Sequence, residues 1–225
     1  APKSLGTLRL ATWNLEWLIA PRDFPALAKT CVPPNGEPSN PRSIPCDVAT
    51  VGARTNEDFE ALTSYARKLD ADVISLQEVD GVAAAGRVFK EHAFCLSSRP
   101  HVQNNGFAIR RGIPYRCGEE VVSLALGGRV RHGVELVLYP GTDRELHLLS
   151  VHLKSGCARQ GLDSRREACV LLARQIPELE RWVDAQAAAG HRYAILGDFN
   201  RDLLAEREPA RGDDAVRPGL WSALD

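Results

Sequence analysis

The sequence has no methionine, few aromatic residues (6%) and almost no net charge (−1). It also lacks any apolar run near the ~20 residues that cross a bilayer, so no membrane span is expected. Basic and acidic residues nearly balance, at 28 and 29, which argues against a basic protein that coats nucleic acid. The balance leaves room for an enzyme that grips phosphate with a metal and a few arginines, because binding follows local rather than net charge. None of the six cysteines stands in CxxC spacing, so a zinc site or redox motif built from them is disfavoured. A chain that opens Ala1-Pro2 without methionine reads as a processed product, with signal-peptide removal as the expected step.

What is present fits one sizeable α/β domain over residues 1–225, with ordinary apolar (44%) and charged (25%) fractions. An even cysteine count fits an oxidising compartment. Pairing sequence neighbours would give Cys31–Cys46, Cys95–Cys117 and Cys157–Cys169, each stapling a loop-rich segment. Sequence alone permits on the order of 15 connectivities, and six buried thiols are the plain alternative.

Residues 7–13 (TLRLATW) alternate apolar and polar side chains and read as a strand that delivers Asn14 to a sheet edge. Residues 21–45 are rich in Pro, Asn and Ser and read as an irregular surface excursion. A helix is expected over residues 56–70, capped by Thr55 or Asn56, with Phe59, Leu62, Ala66 and Leu69 as its buried stripe. The apolar strand DVISLQEV (residues 72–79) follows it. Further strands are expected at residues 106–111, 134–139, 146–152 and 193–199. Between the last two lies a long helix, with Ser164 and Glu167 spaced as a capping box, Pro177 as a kink and Gly190 as its end.

Polar groups cluster where these strands run out: Asn14 and Glu16, Gln77 and Glu78, His152, Asp198 and Asn200. Strand ends on a rigid scaffold are common places for catalytic groups. Phosphodiester hydrolysis needs a cation, a base that orients water, and fixed donors for the transition state. Carboxylate and amide oxygens are the hard ligands that Mg²⁺ takes. Each residue alone also has an ordinary reading: Glu78 as a solvated strand end, Asp198 and Asn200 as an Asx turn, Asn14 as a strand cap, His152 as a half-buried core histidine.

Taken in order, the segments ATWNLEWL (residues 11–18), LQEVD (76–80), NNGFAIRR (104–111), SVHLKSG (150–156) and GDFN (197–200) resemble the motifs of the endonuclease/exonuclease/phosphatase superfamily, which contains pancreatic deoxyribonuclease. The resemblance implies an α/β fold, a four-layer sandwich of two packed mixed β-sheets flanked by helices. It implies an Mg²⁺- or Mn²⁺-dependent phosphoester hydrolase, with Glu78 as metal ligand and Glu16 as a second acidic ligand. Asn14 and Asn200 would hold phosphate or orient a ligand, Asp198 would position the attacking water, and His152 would donate to a phosphoryl or leaving oxygen. Lys154, Arg110 and Arg111 would contact phosphate. Members of the superfamily finish on an Asp-His motif, whereas no histidine follows His191 here, so a domain without that C-terminal segment is expected, from a longer natural protein. The expected activity is that of a secreted or periplasmic nuclease acting on DNA or RNA as a monomer. The alternatives are a phosphomonoesterase or sphingomyelinase-type hydrolase, or a non-catalytic binding protein on the same scaffold. The sequence displays no extended basic pocket that would choose among them.

Overall fold

The computed structural model describes residues 7–38, 40–207 and 219–220. Its elements run β1 (Leu10–Leu18), α1 (Phe24–Lys29), α2 (Cys46–Val51), α3 (Asn56–Leu69), β2 (Val73–Val79), α4 (Gly81–Val88), β3 (His92–Leu96), β4 (Asn104–Arg110), β5 (Tyr115–Val121), β6 (Gly133–Leu138), β7 (Leu146–His152), α5 (Glu167–Ala188), β8 (Tyr193–Asp198) and α6 (Leu203–Arg207). Ala1 and Pro2 lie outside the described residues, as does the end of the chain after Leu220.

Two four-stranded sheets form, ordered β1-β2-β4-β3 and β5-β6-β7-β8. Both are mixed: β1 and β2 are parallel, as are β7 and β8, and the remaining pairs are antiparallel. Side-chain alternation decides which layer each residue joins. Val73, Phe107 and Ile109 point from the first sheet to meet Leu136, Leu138 and Leu148 of the second. Their neighbours point outward. Ile74 and Leu76 pack under α3 and α4 with Phe59, Ala66 and Phe89. Leu149 and Val151 pack under α5 with Leu172, Ile176, Leu179 and Trp182. The result is the expected four-layer α/β sandwich.

Local chemistry explains the helix ends. Thr55 accepts from the Asp58 backbone N–H while Asp58 accepts from that of Thr55, a reciprocal cap at the start of α3. The analogous cap expected from Ser164 and Glu167 does not form. Arg166 is the N-cap of α5, and Ser164 Oγ accepts from the Arg166 N–H in a local turn instead. The excursion after β1 is more ordered than its composition suggests, because α1, α2 and the Cys31–Cys46 disulfide enclose a small core of Ile19, Phe24, Leu27, Ile44 and Val102.

All six cysteines are paired, as Cys31–Cys46, Cys95–Cys117 and Cys157–Cys169. The second bond joins β3 of one sheet to β5 of the other, so it laces two edge strands together. Glu120 on β5 reinforces the lacing: its carboxylate accepts from Ser97 Oγ at 2.7 Å and the Ser98 N–H at 2.6 Å, and meets His132 Nδ1 at 2.6 Å.

Cys95–Cys117 spans 22 residues, a loop length whose closure contributes about 3 kcal/mol in the chain-entropy picture. Reduction, or the Cys95→Ser/Cys117→Ser pair, should therefore lower the melting temperature; an unshifted melt with six titratable thiols would refute the bridges. Burial alone would raise the Glu120 pKa, but the hydrogen bonds from Ser98 and Ser97 and the contact with His132 outweigh it and hold the carboxyl at about 2. Its folded pKa is thus depressed, so its stabilisation is present above about pH 4.5 and is lost as pH falls toward 2. Denaturation midpoints across that window should fall more steeply for the parent than for Glu120→Gln, and parallel curves would sink this assignment.

Candidate active site

The carboxyl ends of the two parallel strand pairs meet at one end of the sandwich. Asn14 pairs in register with Gln77 beside Glu78, and His152 pairs with Asp198. Sites at the carboxyl ends of parallel strands recur in α/β folds. Packing the sheets face to face brings the four groups together: Asn14 Nδ2 donates to Glu78 Oε1 at 3.2 Å and to Asp198 Oδ2 at 3.0 Å. One amide thereby ties a carboxylate from each sheet. His152 Nε2 lies between the same carboxylates, 3.8 Å from Glu78 and 3.7 Å from Asp198.

The backbone is bent to do this. Glu16, Trp17, Glu78 and Asn200 all have positive φ (46°, 56°, 61° and 52°), which costs a non-glycine residue on the order of 1–3 kcal/mol. Strand register slips where the first three sit, between Asn14 and Leu18 on β1 and between Leu76 and Val79 on β2. Such bulges re-aim side chains at strand ends. Local hydrogen bonds compensate: Asn14 Oδ1 accepts from the Glu16 N–H, Glu78 Oε2 from the Trp17 N–H, and Asp198 Oδ1 from the Asn200 N–H. The glycine of GDFN has a simple reason: a Cβ on Gly197 would stand 1.9 Å from the Val151 carbonyl oxygen of the adjoining strand.

Burial shapes the electrostatics. His152 is almost wholly enclosed, and its pKa is pushed down to about 3 by burial first and the Arg131 guanidinium second, against the pull of Asp198. The ring is neutral at pH 7. Its Nδ1 is buried without a hydrogen-bond partner, so Nε2, which faces the two carboxylates, is the natural seat of its proton. Glu78 is held by three donors, since Gln103 Nε2 joins Asn14 and Trp17 at 2.6 Å.

Gln103 and Arg131 were not foreseen from the sequence. Gln103 Oε1 accepts from Arg131 Nη2, so a chain runs Arg131–Gln103–Glu78. Arg131 lines a cavity of about 300 Å³ together with Arg99, Arg129, Lys154, His101 and Trp17. This basic pocket, absent from any single stretch of sequence, abuts the carboxylates. Burial and the neighbouring Arg131 lower the pKa of Arg99, as expected for cations gathered without full compensation.

Other expected residues go elsewhere. Glu16 is exposed and lines a different cavity with Arg54 and Asp58, whose Arg54 Nη2 caps the Leu15 and Glu16 carbonyls. Asn200 Nδ2 donates to the Leu153 carbonyl at 3.0 Å, bracing the β7 and β8 exits. Arg110 lies at the opposite end of β4, where it pairs with Asp70 and Asp72, and Arg111 follows it there. Asn105 is fully buried and donates to the Ser150 carbonyl across the sheets. Asp80 of LQEVD bonds Arg42 at 2.8 Å and so anchors the excursion beside Glu78.

No family model and no curated protein sequence matches the chain. Solved structures do. Truncated TDP2 of Caenorhabditis elegans aligns with a TM-score of 0.53 at 18% identity, over 72% of this chain and 61% of that one. Another C. elegans TDP2 crystal structure gives 0.52 at 18% identity, over 72% and 48%. An endonuclease/exonuclease/phosphatase from Beutenbergia cavernae DSM 12333 aligns at 0.45 and 18%, over 86% and 47%. The chain thus spans less than two thirds of the length of these neighbours, and the likeness is one of fold.

Proposed function

From a chain with the fold of the endonuclease/exonuclease/phosphatase superfamily, we propose a divalent-metal-dependent phosphodiester hydrolase, a nuclease that works outside the cytoplasm. The observation that carries it is the convergence of Asn14, Glu78, His152 and Asp198 beside a pocket lined with arginines. Three disulfides support an oxidising location, and among the described residues no helix is long and apolar enough to cross a membrane.

The donor set fits Mg²⁺ or Mn²⁺. Glu78 and Asp198 offer hard carboxylate oxygens that share one amide donor, and the neighbouring imidazole is neutral, so the ring does not compete with the ion at that spot. Glu78 would hold the metal. Glu16 remains a candidate second ligand through rearrangement of its exposed side chain. When bound, such an ion neutralises charge on the phosphoryl oxygens.

The chain's own residues supply the rest. Asn14 is a positioning residue that fixes both carboxylates. Asp198, held by Asn14 and the Asn200 N–H, would orient the attacking water. His152, with its N–H at Nε2, would donate a hydrogen bond to a phosphoryl or leaving oxygen. Arg131, Arg99 and Lys154 would hold the flanking phosphates, with the guanidinium groups suited to paired contacts.

Incubation with supercoiled plasmid in Mg²⁺ should yield nicks that EDTA abolishes. Glu78→Ala should eliminate them, and an unchanged rate at limiting Mg²⁺ would remove Glu78 from the site. His152→Ala should lower turnover by roughly 10²–10⁴-fold with little change in fold; parental turnover would exclude His152 from the chemistry.

A further inference from the structure

A second cluster lies at the other end of β7 and β8, where His147 pairs in register with Tyr193. It is five residues from His152 along β7, about 16 Å at ordinary strand rise. His147 is nearly buried, with 8% of its side chain exposed, and a carboxylate faces each ring nitrogen. Nδ1 is 3.1 Å from Glu135 Oε1 and Nε2 is 2.9 Å from Glu145 Oε1. A neutral imidazole has one N–H, so one of these carboxylates would confront a lone pair. The arrangement calls for positive charge between them.

His191 completes the set. Its ring stacks on that of His147 with centroids 4.0 Å apart and planes within 8°. Its Nδ1 is 2.8 Å from Gln186 Oε1, an acceptor, which places the proton on Nδ1 and leaves Nε2 as a lone pair. One ligand atom from each of Glu145, His147 and His191 lies within 4.8 Å of the others. Glu145 is held in place by the Gly141 N–H, which donates to its second oxygen.

We propose that Glu145, His147 and His191 bind Zn²⁺ as a structural clip separate from the hydrolytic cluster. Two imidazoles and one carboxylate make a softer set than the oxygens around Glu78 and favour Zn²⁺ over Mg²⁺. Glu135 then serves as the outer carboxylate that takes the His147 Nδ1–H and aims Nε2 at the ion. Closing the site requires rotation of His191, whose exposed position after α5 permits it. The ion would join the turn before β7, β7 itself and the link from α5 to β8.

The test is calorimetric titration of Zn²⁺, with thermal melts in parallel, on the parent, Glu78→Ala, Glu145→Gln and His191→Ala. Glu78→Ala isolates this site from any Zn²⁺ taken by the hydrolytic cluster. It should retain one Zn²⁺ equivalent and a Zn²⁺-dependent rise in melting temperature. Adding His191→Ala or Glu145→Gln to Glu78→Ala should weaken that equivalent by at least about tenfold and abolish the rise, while the circular dichroism spectrum without Zn²⁺ is unchanged. Absence of binding in Glu78→Ala, or equal binding after loss of His191, would overturn the proposal.

Discussion

No single sheet carries the site, so everything depends on the two sheets packing with four strand ends level. The apolar layer between them supplies the energy, at about 25 cal/mol per Å² buried, but such contacts tolerate sliding. A thin polar seam does not. Ser75 Oγ meets Ser150 Oγ at 2.8 Å, Gln77 Nε2 donates to Ser75 Oγ, and Asn105 Nδ2 donates to the Ser150 carbonyl. Buried hydroxyls and amides are costly unless paired. These pairings are satisfied in one alignment of the sheets, and that alignment sets Asn14 and Glu78 against Asp198 and His152. The seam gives register where the aliphatic core gives cohesion.

Charge is arranged with similar economy. A protonated His152 would form ion pairs with Glu78 and Asp198 and occupy the oxygens that a cation needs. Burial and Arg131 together outweigh the attraction of Asp198, so the ring stays neutral and the carboxylates stay available. Arg131 has two tasks in this view. Through Gln103 it steadies Glu78, and through its field it adds to burial in keeping His152 unprotonated.

The residues at strand ends were legible in the sequence because strand periodicity tells where an apolar run stops, and Glu78, His152 and Asp198 stand at those stops. The central apolar strands were legible for the same reason. Strand β5 was not: as an edge strand reading YRCGEEV with most of its side chains exposed, it has no apolar period to find. The basic pocket was invisible because Arg99, Arg129, Arg131 and Lys154 come from three separate segments, and nothing local links them. Arg110 was misplaced by its motif: β4 runs antiparallel to β2, so its last residues lie at the end remote from Glu78. The capping signal at Ser164 failed because a serine hydroxyl can close a short turn as readily as it caps a helix.

The lacing of β3 to β5 has a mechanical consequence. Each sheet has two edges, and the Cys95–Cys117 bond fastens the β3 and β5 pair of edges only. The opposite margin, where β1 and β8 face each other, is crossed by none of the three disulfides. In covalent terms the sandwich resembles a book bound at β3 and β5 and unbound at β1 and β8. Asn14 and Asp198 stand on those two pages, joined by a single hydrogen bond. On that margin only noncovalent ties hold the sheets, so whatever bridges the two carboxylates adds a tie where no disulfide does.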